Sequence, residues 1–122
     1  MPGKILVADD DEEILELLES ALTVAGYKVH TVRTGINLIN LIKQEKPDLM
    51  LLDVMMPGMD GYSLQLDLSQ KEETRTIPVI ILTALPASKA LFEKFEQVKH
   101  FINKPFDLDK LIENIKELLK NN

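Results

Sequence analysis

The stretch Leu49-Met50-Leu51-Leu52-Asp53, followed by Val54-Met55-Met56-Pro57-Gly58-Met59-Asp60-Gly61, decides the fold. An unbroken apolar run of this length reads as a strand buried on both faces, as a parallel sheet covered by helices requires. The Pro/Gly-punctuated loop then leaves Asp53 at the carboxyl end of that strand, where open α/β sheets bind their ligands. The run Ile5-Leu6-Val7-Ala8 repeats the pattern and ends in Asp9 and Asp10. With both strands central and parallel, three carboxylates meet at one edge of the sheet. Like charges that close need a cation. The expected chemistry is divalent-metal binding and acceptance of a phosphoryl group on Asp53.

Working outward, strand and helix patterns alternate five times. Ile14, Leu17, Leu18, Ala21, Leu22 and Ala25 recur at helical spacing, with Asp11, Glu12 and Glu13 at the first turn and Gly26 as the stop. Tyr27 to Val32 reads as the second strand. A second helix runs from Gly35 to about Glu45, with Leu38, Ile39, Leu41 and Ile42 inward and Pro47 beyond its end. Gly61 to about Gln70 is assigned to a third helix although Leu64, Leu66 and Leu68 alternate with period two. Tyr62, Leu64 and Leu68 can share one side, which leaves Leu66 exposed. Ile77 to Leu82 forms the fourth strand, with Pro78 tolerable at its start. Ala87 to about Gln97 is the fourth helix, carrying Ala87, Leu91, Phe95 and Val98. Lys99 to Asn103 is the fifth strand. Asp107 caps a last helix with Leu108, Leu111, Ile112, Ile115, Leu118 and Leu119.

Repeated βα units of this length imply an α/β fold: a single doubly wound (βα)5 domain, flavodoxin-like, over residues 1–122. Right-handed crossovers and the order 2-1-3-4-5 set the first and third strands side by side at the switch point. Asp9-Asp10, Asp53, Thr83 and Lys104 then share one edge of one sheet.

Composition bounds the function. The 122 residues carry a net charge of −6, which disfavours unaided nucleic-acid binding because that needs a basic face. The absence of cysteine removes disulfides and thiolate metal sites and fits a reducing, cytoplasmic setting. No apolar stretch approaches the roughly 20 residues that span a bilayer, and the acidic N-terminal region is no signal peptide.

The pieces Ile5-Leu6-Val7-Ala8-Asp9-Asp10, Leu52 through Gly61, Ile77 through Ala84, and Phe101-Ile102-Asn103-Lys104-Pro105-Phe106 match in order and spacing. Together they resemble the receiver domain of two-component response regulators over essentially the whole chain. The resemblance implies that Asp53 is the phosphoacceptor. It implies that Asp10 ligates the metal directly, Asp9 mainly through water, and Met55 through its backbone carbonyl. Thr83 and Lys104 would contact the phosphoryl group, Phe101 would be the switch aromatic, and Pro105 would follow a cis peptide bond. Partners implied are a sensor histidine kinase or phosphotransfer protein upstream and a downstream protein or fused effector. The resemblance also allows a phosphorylation-dependent homodimer. No effector domain is expected within the chain, and no turnover enzyme.

The physics of the residues agrees. Two carboxylates about 5 Å apart repel by about 3 kcal/mol at an effective dielectric of about 20, and a divalent cation reverses that sign. Carboxylate, carbonyl and water ligands are hard oxygen donors that suit Mg²⁺ or Mn²⁺. Phosphoryl transfer needs an in-line nucleophile and fixed positive charge, which Asp53, the metal and Lys104 would supply.

Three rivals compete. A haloacid-dehalogenase-type phosphatase wants a second Asp two residues after its nucleophile, and position 55 is Met. A flavodoxin-like cofactor carrier needs a phosphate-cradling first loop, and Asp9-Asp10-Asp11 would repel a phosphate. A degenerate receiver acting as a plain interaction module would lack some of the five key side chains, all of which are present. One departure stands out: where the family has a glycine-containing turn before the fifth strand, this chain reads Gln97-Val98-Lys99-His100 and is about one residue short. Gln and Val do not readily take a left-handed conformation, so the fourth helix is expected to end differently. His30 is expected at a strand end on the surface, and Met55, Met56 and Met59 in the loop.

Overall fold

The computed structural model describes residues 3–58 and 60–120. Five strands form one parallel sheet: β1 (Lys4–Ala8), β2 (Lys28–Val32), β3 (Leu49–Asp53), β4 (Val79–Thr83) and β5 (Val98–Asn103). Their order is β2-β1-β3-β4-β5. The helices are α1 (Glu12–Val24), α2 (Leu38–Glu45), α3 (Gly61–Gln70), α4 (Lys89–Phe92) and α5 (Leu108–Leu119). The doubly wound α/β reading and its strand order are therefore correct.

Strand alternation assigns each helix to a face. Ile5, Val7, Leu49, Leu51, Ile80 and Leu82 point to one side and pack with Leu15, Leu18 and Leu22 of α1 and Leu111, Ile115 and Leu119 of α5. Leu6, Ala8, Met50, Leu52, Val79 and Ile81 point to the other and pack with α2, α3 and α4 through Leu38, Ile42, Leu64, Leu68 and Phe92. The register sets Ile5 beside Leu49 and Ala8 beside Leu52, so β1 and β3 end level. That alignment delivers Asp9 and Asp53 to the same edge.

Helix boundaries follow from local chemistry. The carboxylates of Asp11 and Asp60 accept the first free N–H groups of α1 and α3, and Asp107 does so for α5. Gly26, at φ 102°, provides the left-handed residue after α1. Lys46, at φ 48°, does the same work after α2 without a glycine.

Several expectations need correction. The buried face of α1 is Leu15, Leu18 and Leu22, and Leu17 is exposed. Three leucines and an isoleucine in the first two turns permit two phases, and the sheet beneath selects the one led by Leu15. The second helix begins at Leu38, because Asn37 takes a left-handed φ of 60° just before it. Pairing of β4 starts at Val79, after Ile77 and Pro78. His30 lies in the middle of β2, half-exposed, with Nδ1 3.6 Å from Glu45 Oε1. Met55 and Met56 do lie in the loop after β3, Met55 exposed and Met56 turned into the core, while Met59 lies outside the described residues.

The fourth helix differs most. Pro86–Ser88 form a 3₁₀ turn, and α4 itself spans only four residues. Its one buried side chain is Phe92, while the expected inward Leu91 faces solvent. The chain then returns to the sheet through turns without a left-handed residue. Gln97 folds inward instead, donating from Nε2 to the carbonyls of Thr74 and Ile77 at 2.6 and 2.9 Å and accepting from Gln65 Nε2 at 2.9 Å. A bulge at Lys99 absorbs the altered spacing: Val79 pairs with Val98 and Ile80 with His100. The fifth helix and the third strand and helix stand where the sequence places them.

Candidate functional site

Asp9 and Asp53 follow apolar strands that leave no room for solvent beneath them. Asp9 is fully buried and Asp53 is 4% exposed, while Asp10 turns outward. Carboxylate oxygens of Asp9, Asp10 and Asp53 lie within 4.8 Å of one another. The two buried acids are held alike. Asp9 Oδ1 accepts the Asp11 N–H at 2.9 Å, and Asp53 Oδ1 accepts the Met55 N–H at 2.9 Å. Each thereby fixes the loop that leaves its own strand, and each keeps Oδ2 for the interior of the site.

Lys104 reaches both of those free oxygens. Its Nζ donates to Asp53 Oδ2 at 3.0 Å and lies 2.6 Å from Asp9 Oδ2. The second contact is off the line of a hydrogen bond, so Asp9 Oδ2 is buried with no aligned donor. The Lys104 backbone N–H donates to the Thr83 carbonyl at 2.8 Å, and the Lys104–Pro105 peptide is cis, as the resemblance implies. Thr83 is buried, and its Oγ1 accepts the Leu85 N–H at 3.1 Å.

Burial pushes the Asp9 carboxyl above the usual carboxylate range. The Asp53 charge adds to this, against the opposing pull of Lys104 and the Asp11 N–H. For Lys104, burial works to lower the ammonium pKa, but contacts with Asp9 and Asp53 outweigh it and the net shift is upward. Three carboxylates and one ammonium leave two negative charges in the cup. One divalent cation neutralises them, and Asp9 Oδ2 is a buried oxygen with no hydrogen-bond partner. The residues present thus fit a hard cation.

The sequence-predicted residues Asp9, Asp10, Asp53, Thr83 and Lys104 therefore converge at one edge. Met55 stands next to them, its N–H turned to Asp53. Phe101 does not touch the acids. It lies half-buried in β5 with its ring stacked on Phe92, centroids 6.4 Å apart. Sequence reasoning missed Phe92, which no periodic pattern marked. It also missed the buried Gln97, which only its missing glycine hinted at.

The response regulator receiver domain model matches residues 5–116. The chain belongs to the response regulator receiver family. It is 37% identical over 121 residues to the response regulator PleD of Caulobacter vibrioides, covering 98% of this chain and 27% of that protein. It is 31% identical to the polar-differentiation response regulator DivK of Brucella anthropi, covering 98% of each. The chain thus spans about a quarter of PleD and nearly all of DivK. The response regulator TrrA of Thermotoga maritima, solved in complex with Mg²⁺ and beryllium fluoride, superposes with a TM-score of 0.84 at 30% identity, covering 98% of this receiver and 100% of that chain. Among the described residues, no helix of this receiver is long and apolar enough to cross a membrane.

Proposed function

We propose that this receiver is a phosphorylation switch whose phosphoacceptor is Asp53. The observation that carries the reading is the single acidic cup: Asp9, Asp10 and Asp53 within 4.8 Å, bridged by Lys104 at 2.6 and 3.0 Å. Asp10, Asp53 and the Met55 carbonyl would hold Mg²⁺, with Asp9 acting mainly through water; Mn²⁺ suits the same oxygen donors. The cation supplies charge that offsets the phosphoryl oxygens as they approach the acids.

An Asp53 carboxylate oxygen attacks the phosphorus of a phosphohistidine. The P–O bond of an acyl phosphate forms, the P–N bond breaks, and its electron pair stays on the imidazole. Lys104 already lies against Asp53, so its ammonium meets the incoming phosphoryl oxygens without a large rearrangement. Thr83 ends the neighbouring strand β4, and its hydroxyl would turn from the Leu85 N–H toward a phosphoryl oxygen. Phe101 then shifts within the space this opens, biasing a two-state equilibrium.

The donor is a sensor histidine kinase or a phosphotransfer protein, and the receiver of the signal is a downstream protein or an attached effector. A homodimer formed on phosphorylation is one form the output takes. The switch does not turn over substrate and does not touch nucleic acid directly. We take its compartment to be the cytoplasm, on the cysteine-free composition. Incubation with Mg²⁺ and acetyl phosphate tests this. Mass spectrometry should find one phosphoryl group, labile to base, absent in Asp53→Asn and absent when Mg²⁺ is chelated. Continuous release of phosphate would instead indicate a phosphatase, and no uptake a degenerate interaction module.

A further inference from the structure

We infer that Phe92 and Tyr62 are positioning residues of the switch: they tie Phe101 to the loop after Asp53 by a stack of rings that does not pass through Thr83. The inference deepens the phosphorylation-switch reading and rests on it.

The stack is continuous. Phe101 lies on Phe92 with centroids 6.4 Å apart and planes at 30°. Phe92 meets Tyr62 edge-on at 6.2 Å and 67°. Both separations fall within the range of about 4.5–7 Å over which aromatic rings attract. Tyr62 is the second residue of α3. Its neighbour Gly61 is pressed so closely on Val54, the residue after Asp53, that a Cβ there would stand 2.7 Å from Val54 Cβ. From acceptor to switch strand the route is Asp53, Val54, Gly61-Tyr62, Phe92, Phe101.

The economy of α4 makes Phe92 the joint of this route. A helix of four residues has little stability of its own, and Phe92 is its one buried side chain, 2% exposed. The placement of α4 on the sheet therefore depends on a ring clasped between Phe101 and Tyr62. Phe101 cannot leave without unstacking Phe92, and α3 cannot shift at its first turn without moving Tyr62 against Phe92. Close-packed rings of this kind favour discrete arrangements over gradual deformation. Thr83, which pairs with Asn103 across β4 and β5, lies outside this route.

The whole chain labelled with 4-fluorophenylalanine tests this, because its four phenylalanines give four ¹⁹F resonances. Spectra are recorded with and without Mg²⁺ and beryllium fluoride, and the Phe92 and Phe101 resonances are assigned by Phe→Leu variants. The expected result is that both move together, that Tyr62→Ala reduces their displacement at least twofold, and that Tyr62→Phe restores it. The affinity for Mg²⁺ should stay within twofold of the parent in both variants, which separates positioning from general damage. Thr83→Ala should leave a residual displacement that Thr83→Ala/Tyr62→Ala loses. Movement of Phe101 with Phe92 stationary, or an undiminished response in Tyr62→Ala, overturns the inference while the phosphoacceptor reading stands. A parent protein that binds no beryllium fluoride overturns both.

Discussion

Lys104 Nζ stands 2.6 Å from Asp9 Oδ2, yet that oxygen is buried with no aligned hydrogen-bond donor. The pair compensates charge without satisfying geometry. It leaves the cup poised for a second cation, and it makes Asp9 a cost in the metal-free state.

The first prediction follows from that cost. The Asp9 pKa is raised in the folded chain above its ordinary 3.8, so the folded state binds the proton more tightly than the unfolded state. Stability is then lost as pH rises from 3.8 through the raised value. Asp9→Asn removes the charge and keeps an oxygen for the Asp11 N–H. In chelator at pH 7 the variant should be more stable than the parent by about 1 kcal/mol, in the usual range for relief of functional-site strain. The advantage should vanish below pH 3.8. Added Mg²⁺ should raise the melting temperature of both proteins, and that of the parent more, because the variant keeps Asp10 and Asp53 but has less charge to neutralise. A variant less stable than the parent in chelator would refute the account.

Lys104 has the opposite sign at neutral pH. Its raised pKa means that the stability it contributes is present below the ordinary 10.5 and is lost as pH climbs through the raised value. Lys104→Gln leaves Asp9 and Asp53 facing one another without a counter-charge. Breaking a fully buried pair costs about 3–5 kcal/mol; with the Lys104 side chain 16% exposed, about 2 kcal/mol is expected in metal-free protein. Mg²⁺ should recover part of it. Acceptance of phosphoryl groups from acetyl phosphate should slow by about 100-fold, the lower end of the loss seen when one preorganised donor is removed. Denaturant melts across pH and a phosphorylation time course measure both effects.

How far the fold could be read from the chain depended on what each residue had to satisfy. Ile5-Leu6-Val7-Ala8 and Leu49-Met50-Leu51-Leu52 are apolar on both faces, and only a covered parallel sheet accepts that. The acids at their ends were legible because both runs stop at an acid, and the register of β1 and β3 sets those ends level. Leu17 misled because helix phase is chosen by the sheet, which no local pattern records. The extent of α4 misled because one ring, Phe92, anchors it. Gln97 was visible only as a missing glycine. Its burial depends on Thr74, Ile77 and Gln65, partners that adjoin it only in the folded chain.

Gly61 supports the third prediction. An added Cβ would fall 2.7 Å from Val54 Cβ and 2.8 Å from Val54 Cα and carbonyl oxygen. Two of those three atoms are backbone and cannot swing aside. Gly61→Ala should therefore push the Asp53 loop and the start of α3 apart, costing about 1–3 kcal/mol as overpacking does. It should also slow phosphoryl acceptance, although Asp53 itself is untouched. A variant with parental stability and parental uptake would show that the loop yields freely.

The last prediction concerns Gln97, remote from the acids. Its amide satisfies the Thr74 and Ile77 carbonyls and holds the Gln65 amide, and Gln97 itself is buried. Gln97→Leu fills similar volume but strands three polar groups. Each buried unsatisfied group costs about 1–3 kcal/mol, and Gln65, whose Oε1 already lacks a partner, can relax by turning its amide. A loss of about 2–4 kcal/mol is expected. Because the acidic cup lies at the other end of the strands, uptake of the phosphoryl group by the folded fraction should stay within about twofold of the parent. Urea melts give the first quantity and mass spectrometry below the unfolding transition gives the second. Full stability in Gln97→Leu would mean that water or a rearranged turn replaces the amide, and that Gln97 does not anchor the turns between α4 and β5.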